Sequence, residues 1–439
     1  MTGGSSAGGA GGTPGRGVVP ADGETAEDGS RPAPARGYPD IMAPLLQRCA
    51  HYGKCALRLL LFLLNNLYCI PSYTVWMFLL RPLLWVAPEL YWRIEGVLFR
   101  WLLHMVAMLS YTAGYDVIEM GDRIDHLEQE NCLFIVNHQS TADVPVLMNM
   151  LTAHGRAADN AMWIMDVQFK WSNFGVVSQI HRDFFIECGR EKRDRSVELL
   201  RSALIKDYVG LNRKWILLFP EGGFLKNRKP VSQRFAEKNG LPHLERVSLP
   251  RVGAARAVLD LRGSGTTPEP TVDKRPNGHG PPAAAAETSG GQGDSVSERR
   301  VKWVVDLTVA YPDQADPLGL MAVMAGSRPP CKLYFYYRVY RSDQVPTDPE
   351  DLTTWLYQLF FDKEAQLDEY YRTGKMPTLP PEKHGGRSPV PPPRRIRHDP
   401  AAWLLRHLFF IASTVVQWRM MVAVAGAAWS AAAAVVPLW

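Results

Sequence analysis

The sequence predicts an α/β fold, a sheet flanked by helices, carried on N-terminal membrane-associated helices and ending in a C-terminal membrane segment. Three observations predict it. Short apolar runs alternate with stretches of helical spacing between about residues 114 and 375. One of those runs, Cys132 to Val136, ends on Asn137-His138, as a buried strand does when it delivers polar groups to the carboxyl edge of a sheet. Leu59 to Leu80 and Met420 to Trp439 are 22 and 20 residues without a charge, enough to cross about 30 Å of hydrocarbon as helices.

At 439 residues and 46% hydrophobic content the chain can bury one large core besides its membrane segments. The net charge of +5 is mild and argues against a dedicated nucleic-acid binder. The basic excess is local: residues 181 to 234 hold 13 Lys/Arg against 7 Asp/Glu, a balance of +6. Such a patch suits phosphate groups, a CoA moiety or anionic headgroups, although a solvated helix face gives the same count. Six cysteines (Cys49, Cys55, Cys69, Cys132, Cys188, Cys331) lack metal or disulfide spacing and read as free thiols.

Taken in order, residues 1 to 40 are rich in Gly, Ala, Pro and Ser, read as a disordered tail, and lack the apolar core of a signal peptide. Residues 41 to 113 read as membrane-associated helices. Asn65-Asn66 and Pro71 leave a straight span or a kinked, re-entrant hairpin open over Leu59 to Leu80. Basic residues on both sides, Arg48, Lys54 and Arg58 against Arg81 and Arg93, do not set an orientation. Trp101 to Ala113 is too short to span and fits an interfacial or packed helix.

Residues 114 to 375 form the globular domain. Met162 to Val167, Asp183 to Cys188, Trp215 to Phe219, Arg246 to Pro250, Val301 to Tyr311 and Leu333 to Tyr340 read as strands. Helices are expected at 194 to 209, from about Ala254, and from Glu350 to about Arg372. Residues 262 to 300 read as a disordered insertion, 376 to 400 as a Pro/Arg-rich linker, and 401 to 439 as a hydrophobic segment whose span lies in Met420 to Trp439, alone or paired with 408 to 418.

Chemistry centres on His138. An imidazole at a strand end, followed after four residues by Asp143, can take a proton from an alcohol while the carboxylate holds its tautomer. The interval alone is weak: His154 and Asp159 repeat it with no strand before them, and that copy reads as a polar loop. A second constellation, Leu218-Phe-Pro-Glu-Gly-Gly223, closes another strand. Its glycines admit a ligand close to the backbone, Glu221 can accept from a substrate hydroxyl, and Lys226, Arg228 and Lys229 lie near enough to meet a phosphate. An ordinary strand exit with a solvated basic run is the plainer reading of that motif alone.

Together these blocks resemble a family. Asn137-His138 with Asp143, Phe184-Phe-Ile186, Phe219-Pro-Glu-Gly222 and Leu249-Pro250 occur in the order and spacing of the four blocks of the glycerolipid (PlsC-like), or lysophospholipid, acyltransferases. The stretches Pro220 to Leu225, Leu249 to Ala254 and Asp351 to Tyr357 look like the lysophosphatidylglycerol acyltransferase branch. The resemblance covers about residues 90 to 375. It implies a mixed sheet flanked by helices and acyl transfer from acyl-CoA to a free hydroxyl of a lysophospholipid, in the endoplasmic reticulum membrane. By the same resemblance His138 is the general base and Asp143 its partner, with no covalent acyl-enzyme, no metal and no cofactor beyond acyl-CoA as co-substrate. Asn137, Glu221 and Gly222 belong to acceptor binding and Pro250 to the block lining the acyl-CoA site.

Two departures stand out. Arg182 and Cys188 hold places where the second block usually has glycine and arginine, with Arg190 two residues beyond as a substitute cation. The third block usually continues Thr-Arg, where this chain has Gly223-Phe224, which leaves Lys226 and Arg228 as phosphate ligands. The rival reading is a non-catalytic lipid-binding or membrane-shaping protein that keeps the fold. A serine hydrolase would need a Gly-x-Ser-x-Gly elbow, and the chain has none, nor a phosphate loop nor a His-Glu-x-x-His zinc motif.

Overall fold

The computed structural model describes residues 38–187, 189, 191–262, 300–379 and 390–435. The expected tail at 1–37, most of the insertion read at 262 to 300, Cys188, Arg190 and residues 380–389 lie outside them. Residues up to Ala50 form a unit separate from His51 onward, and of that unit only the beginning of α1 (Tyr38–Leu79) is described. The remaining helices of note are α2 (Pro88–Ala113), α3 (Asp143–Ala153), α4 (Asn173–His181), α5 (Arg193–Ala203), α6 (Leu225–Lys238), α7 (Val252–Leu259), α8 (Leu320–Ala325), α9 (Pro349–Thr373) and α10 (Pro400–Val435).

Among the described residues, three helices are long and apolar enough to cross a membrane: Leu45–Leu79, Pro88–Ala113 and Pro400–Ala432. The asparagines in α1 do not break it, because they satisfy their polar groups within the helix: Asn66 Nδ2 donates to the Phe62 carbonyl (2.8 Å) and the Cys69 thiol to Asn65 Oδ1 (2.9 Å). α2 begins well before Trp101, at Pro88 in the first turn, and ends on left-handed Gly114. The charge at Glu95 within it is tolerated because the buried carboxylate meets the Tyr73 hydroxyl (2.7 Å) and His181 Nδ1 (2.8 Å). The C-terminal apolar runs at 408 to 418 and from Met420 join in one helix.

The strands are β1 (Tyr115–Gly121), β2 (Cys132–Val136), β3 (Ala161–Asp166), β4 (Phe184–Ile186), β5 (Trp215–Leu218), β6 (Trp303–Ala310), β7 (Cys331–Arg341) and β8 (Arg394–Arg395). They form one mixed sheet in the order β4-β3-β5-β2-β6-β7-β1-β8. From β4 to β6 all neighbours are parallel; β7 runs antiparallel to β6, and β1 runs parallel to β7. Helices cover both faces. Cys132, Phe134 and Val136 join one core with residues of α2 and α3, whereas Leu133 and Ile135 join another with residues of α5, α7 and α9. A strand buried on both faces needs apolar residues at every position, hence the unbroken run before Asn137.

Three further expectations differ from the structure. Arg246 to Pro250 is not a strand. Its backbone donors are taken by side chains instead of a neighbouring strand: Glu245, Arg246 and Val247 donate to the Glu364 carboxylate, Ser248 to Glu221, and Leu249 to the Ser232 hydroxyl. The stretch read as a linker contributes β8, which pairs with β1 through Arg394 and Arg395. His154 is no polar loop residue but the buried C-cap of α3, with Nε2 on Glu119 Oε1 (2.7 Å), while Asp159 pairs with Arg100 and Arg156.

Candidate active site

The register of three adjacent parallel strands assembles the site. Ile135 lies opposite Leu218, so His138 and Glu221, each three residues further on, emerge level at the carboxyl edge. Val136 lies opposite Leu307, which brings Asn137 beside the end of β6. Its amide continues the ladder there: Nδ2 donates to the Val309 carbonyl (3.0 Å) and Oδ1 accepts from the Val309 N–H (2.7 Å). The Asn137 side chain is thereby spent on fixing the exit of β2.

His138 is held by its backbone as well as its ring. Its N–H donates to Glu221 Oε1 (2.6 Å) and its carbonyl accepts from the Leu225 N–H at the start of α6 (2.8 Å). The ring packs between Phe219 and Phe224, with centroids 4.1 and 4.4 Å away. Nδ1 lies 2.8 Å from Asp143 Oδ2. Asp143 is fully buried in the first turn of α3, where the helix dipole favours a carboxylate. Its two oxygens also accept from the Gln139 N–H (2.7 Å), the Ser140 N–H (3.0 Å) and the Tyr311 hydroxyl (2.5 Å). Four donors on one carboxylate fix its orientation. The proton on Nδ1 points at Asp143, leaving Nε2 as the basic nitrogen.

Glu221 is buried as well, and points inward. Besides the His138 N–H it accepts from the Ser248 N–H (2.8 Å) and hydroxyl (2.5 Å) through Oε2. Burial pushes its carboxyl up to about 7, against the pull of those hydrogen bonds. With both oxygens engaged, Glu221 is a strut that ties the His138 turn to the Ser248-Leu249-Pro250 segment. The Arg251 N–H donates to the Pro220 carbonyl (2.7 Å) and completes the tie, with Pro250 buried beside it.

Residues 120–263 match the family model described as Acyltransferase, and residues 325–399 match Acyltransferase C-terminus. The chain is 41% identical over 324 residues to human acyl-CoA:lysophosphatidylglycerol acyltransferase 1, covering 74% of this chain and 83% of that protein. The chain belongs to the acyltransferase family. The mouse protein of the same name is 40% identical over 75% of this chain and 84% of its own length. Chicken lysocardiolipin acyltransferase 1 is 26% identical over 67% and 68%.

The remaining positions of the acyltransferase divide sharply. Gly222 has φ of +70°, and a Cβ there would sit 3.1 Å from the Arg251 guanidinium. Glycine thus allows an arginine to lie against the turn. Arg228 Nε donates to the Glu221 carbonyl (3.1 Å), and Lys226, two residues before it at the start of α6, is exposed. Lys229 pairs with Glu245. Arg182 is not in the site. Phe184 shares a row with Ile164, Leu218 and Ile135. Arg182 thus lies two residues before that row and His138 three after it. That separates them by about 16 Å along the strands at roughly 3.3 Å per residue. Arg182 also has φ of +69°, the conformation that explains a glycine at this place in the family.

Sequence reasoning missed Tyr311, Ser248, Arg251 and Gln139. Gln139 accepts from the Tyr371 hydroxyl (3.2 Å), and its buried Nε2 has no hydrogen-bond partner among the described residues. Lys363 stands behind Glu221, buried and paired with Asp306 (2.7 Å); burial pushes it down to about 8. Only its place after the histidine marked Gln139 in advance; the others act across the fold and left no local pattern.

Proposed function

We propose that this acyltransferase moves a fatty acyl group from acyl-CoA to a free hydroxyl of a lysophospholipid, lysophosphatidylglycerol or a related lysoglycerophospholipid, at the endoplasmic reticulum membrane. The observation that carries the reading is His138 at the carboxyl edge, with Nδ1 on a buried, four-fold hydrogen-bonded Asp143 and Nε2 turned away from it. Nε2 takes the proton of the acceptor hydroxyl as its oxygen attacks the thioester carbonyl. Asp143 stabilises the imidazolium that forms. Collapse of the tetrahedral intermediate breaks the carbon–sulfur bond, and the proton held on Nε2 goes to the departing CoA thiolate. The acyl group passes directly between substrates, so no acyl-enzyme forms, and residues 114 to 375 act as the catalytic domain. Acceptor phosphate is met by Lys226, Arg228 and Arg251 around the Gly222 turn, whose glycine leaves room for the guanidinium.

Membranes bearing the full-length protein, given a panel of lysophospholipids and labelled acyl-CoAs, test this by mass spectrometry of the products. Labelled phosphatidylglycerol from lysophosphatidylglycerol is the expected result. Absence of acyl transfer to every acceptor in the panel would leave the fold as a lipid-binding scaffold and overturn the proposal.

A further inference from the structure

The turn between β3 and α4 holds aromatic side chains outward. Trp171 is 86% exposed and Phe169 43%, and Val176 of α4 is exposed as well. The backbone beneath them is built, not loose. Asp166 accepts from the Gln168 N–H (2.9 Å), the Ser172 hydroxyl donates to the Phe169 carbonyl (2.7 Å), and the Gln179 amide donates to the Lys170 carbonyl (2.9 Å). Ser172 also caps α4 by accepting from the Gly175 N–H (3.0 Å). Position 175 has no room for a side chain, because a Cβ there would lie 2.0 Å from the Phe169 carbonyl oxygen. The short helix Val167–Trp171 is thus fixed against α4, with polar backbone groups met from within. A segment that enters an apolar medium must satisfy its backbone in this way.

Position and charge identify that medium. Asn173 Nδ2 donates to Asn66 Oδ1 (3.4 Å), which sets the turn beside the middle of α1. After Asn66, α1 buries Cys69, Tyr73 and Met77 in the core. Before it, Leu57, Leu60, Leu61, Leu63 and Leu64 are exposed, in a helix long and apolar enough to cross a membrane. The turn therefore meets α1 where its side chains pass from the core to the outside. Residues 167 to 182 contain no Asp or Glu, and Lys170 stands between the two aromatics. An indole with a neighbouring cation suits the headgroup layer, the ring among the upper acyl chains and the ammonium toward phosphates. The turn also leaves the sheet on the His138 side, since Ile164, Leu218 and Ile135 share a row of parallel strands.

We propose that Phe169 and Trp171 insert into the headgroup layer of the bilayer that α1 enters, and hold the carboxyl edge of the sheet against the membrane surface. The consequence for catalysis rests on the acyl-transfer reading: His138 is kept at the depth where a lysophospholipid carries its free hydroxyl. The lipid contact itself does not depend on that reading. The test uses the full-length protein in vesicles of phosphatidylcholine and phosphatidylserine, with or without bromine on the upper acyl chains. Subtracting the emission of Trp171→Phe from that of the wild type isolates one indole among the 13 tryptophans. That emission should be largely lost in brominated vesicles and little affected by iodide in the water. Phe169→Trp in the Trp171→Phe protein supplies a second reporter and should behave likewise. Quenching in a protein that transfers no acyl group would uphold the anchor and remove only its catalytic consequence. Equal emission in brominated and plain vesicles, with quenching by iodide, would put the patch in water and overturn the proposal. Protection from iodide that appears only as the protein-to-lipid ratio rises would assign the patch to a second copy of the chain, and would overturn it too.

Discussion

Replacing Glu221 with glutamine keeps the length of the strut and removes its charge, and the consequence depends on pH in a way the structure dictates. The carboxyl is fully buried and its pKa is pushed up to about 7 from an ordinary value near 4.5. A raised acid binds its proton more tightly in the folded protein than in the unfolded chain. The folded state is therefore favoured most below the unfolded value, and that advantage is lost as pH rises through about 7. At about 1.4 kcal/mol per unit the full swing is on the order of 3 kcal/mol. Glutamine does not titrate. It keeps an oxygen for the His138 N–H but turns an amide toward the Ser248 N–H, a penalty of about 1–3 kcal/mol that is the same at every pH. Thermal unfolding of both proteins in detergent between pH 5 and pH 8 reads the difference. The wild type should lose stability relative to Glu221→Gln as pH rises across that range. Parallel curves would refute the reasoning and show a Glu221 that stays ionised throughout.

Three further outcomes are expected. Tyr311→Phe leaves a buried Asp143 oxygen without its 2.5 Å donor, so kcat should fall about tenfold with little change in either KM, measured by acyl transfer at saturating acceptor. Arg182→Gly relieves a left-handed residue at about 1–2 kcal/mol, less about 0.5–1 kcal/mol for the freer unfolded chain. It should raise the unfolding temperature without altering KM for the acceptor. Arg251→Ala, and Lys226→Ala combined with Arg228→Ala, should each raise KM for a charged lysophospholipid about tenfold and that for acyl-CoA much less. Equal losses with a neutral monoacylglycerol would assign those cations to folding.

Where local pattern and final position coincide, the sequence was legible. The unbroken run Cys132 to Val136 marked a strand buried on both faces, and His138 with Asp143 could be placed because both lie within one turn of its end. The acid and the glycines after β5 were legible as residues but not in direction: Glu221 turns inward because Ser248 and His138 offer it three donors from other segments. Arg246 to Pro250 looked like a strand because its apolar spacing is one. What binds its backbone is Glu364, more than a hundred residues away. The start of α2 was hidden by Arg93, Glu95 and Arg100, charges that spacing rules exclude from an apolar helix. Glu95 is neutralised by His181 and Tyr73, and Arg100 by Asp159. His154 shows the converse, a histidine with the right interval whose imidazole is occupied by Glu119.

The central claim is that the His138 imidazole is the base that activates the acceptor. The most direct measurement is turnover of labelled acyl-CoA and lysophosphatidylglycerol by His138→Ala in membranes. The variant should fold and remain with the membrane, because the contacts of residue 138 with Glu221 and Leu225 are made by its backbone. Its rate should fall by about 10²–10⁴-fold or more. Near-wild-type turnover in a stably folded His138→Ala would contradict the account.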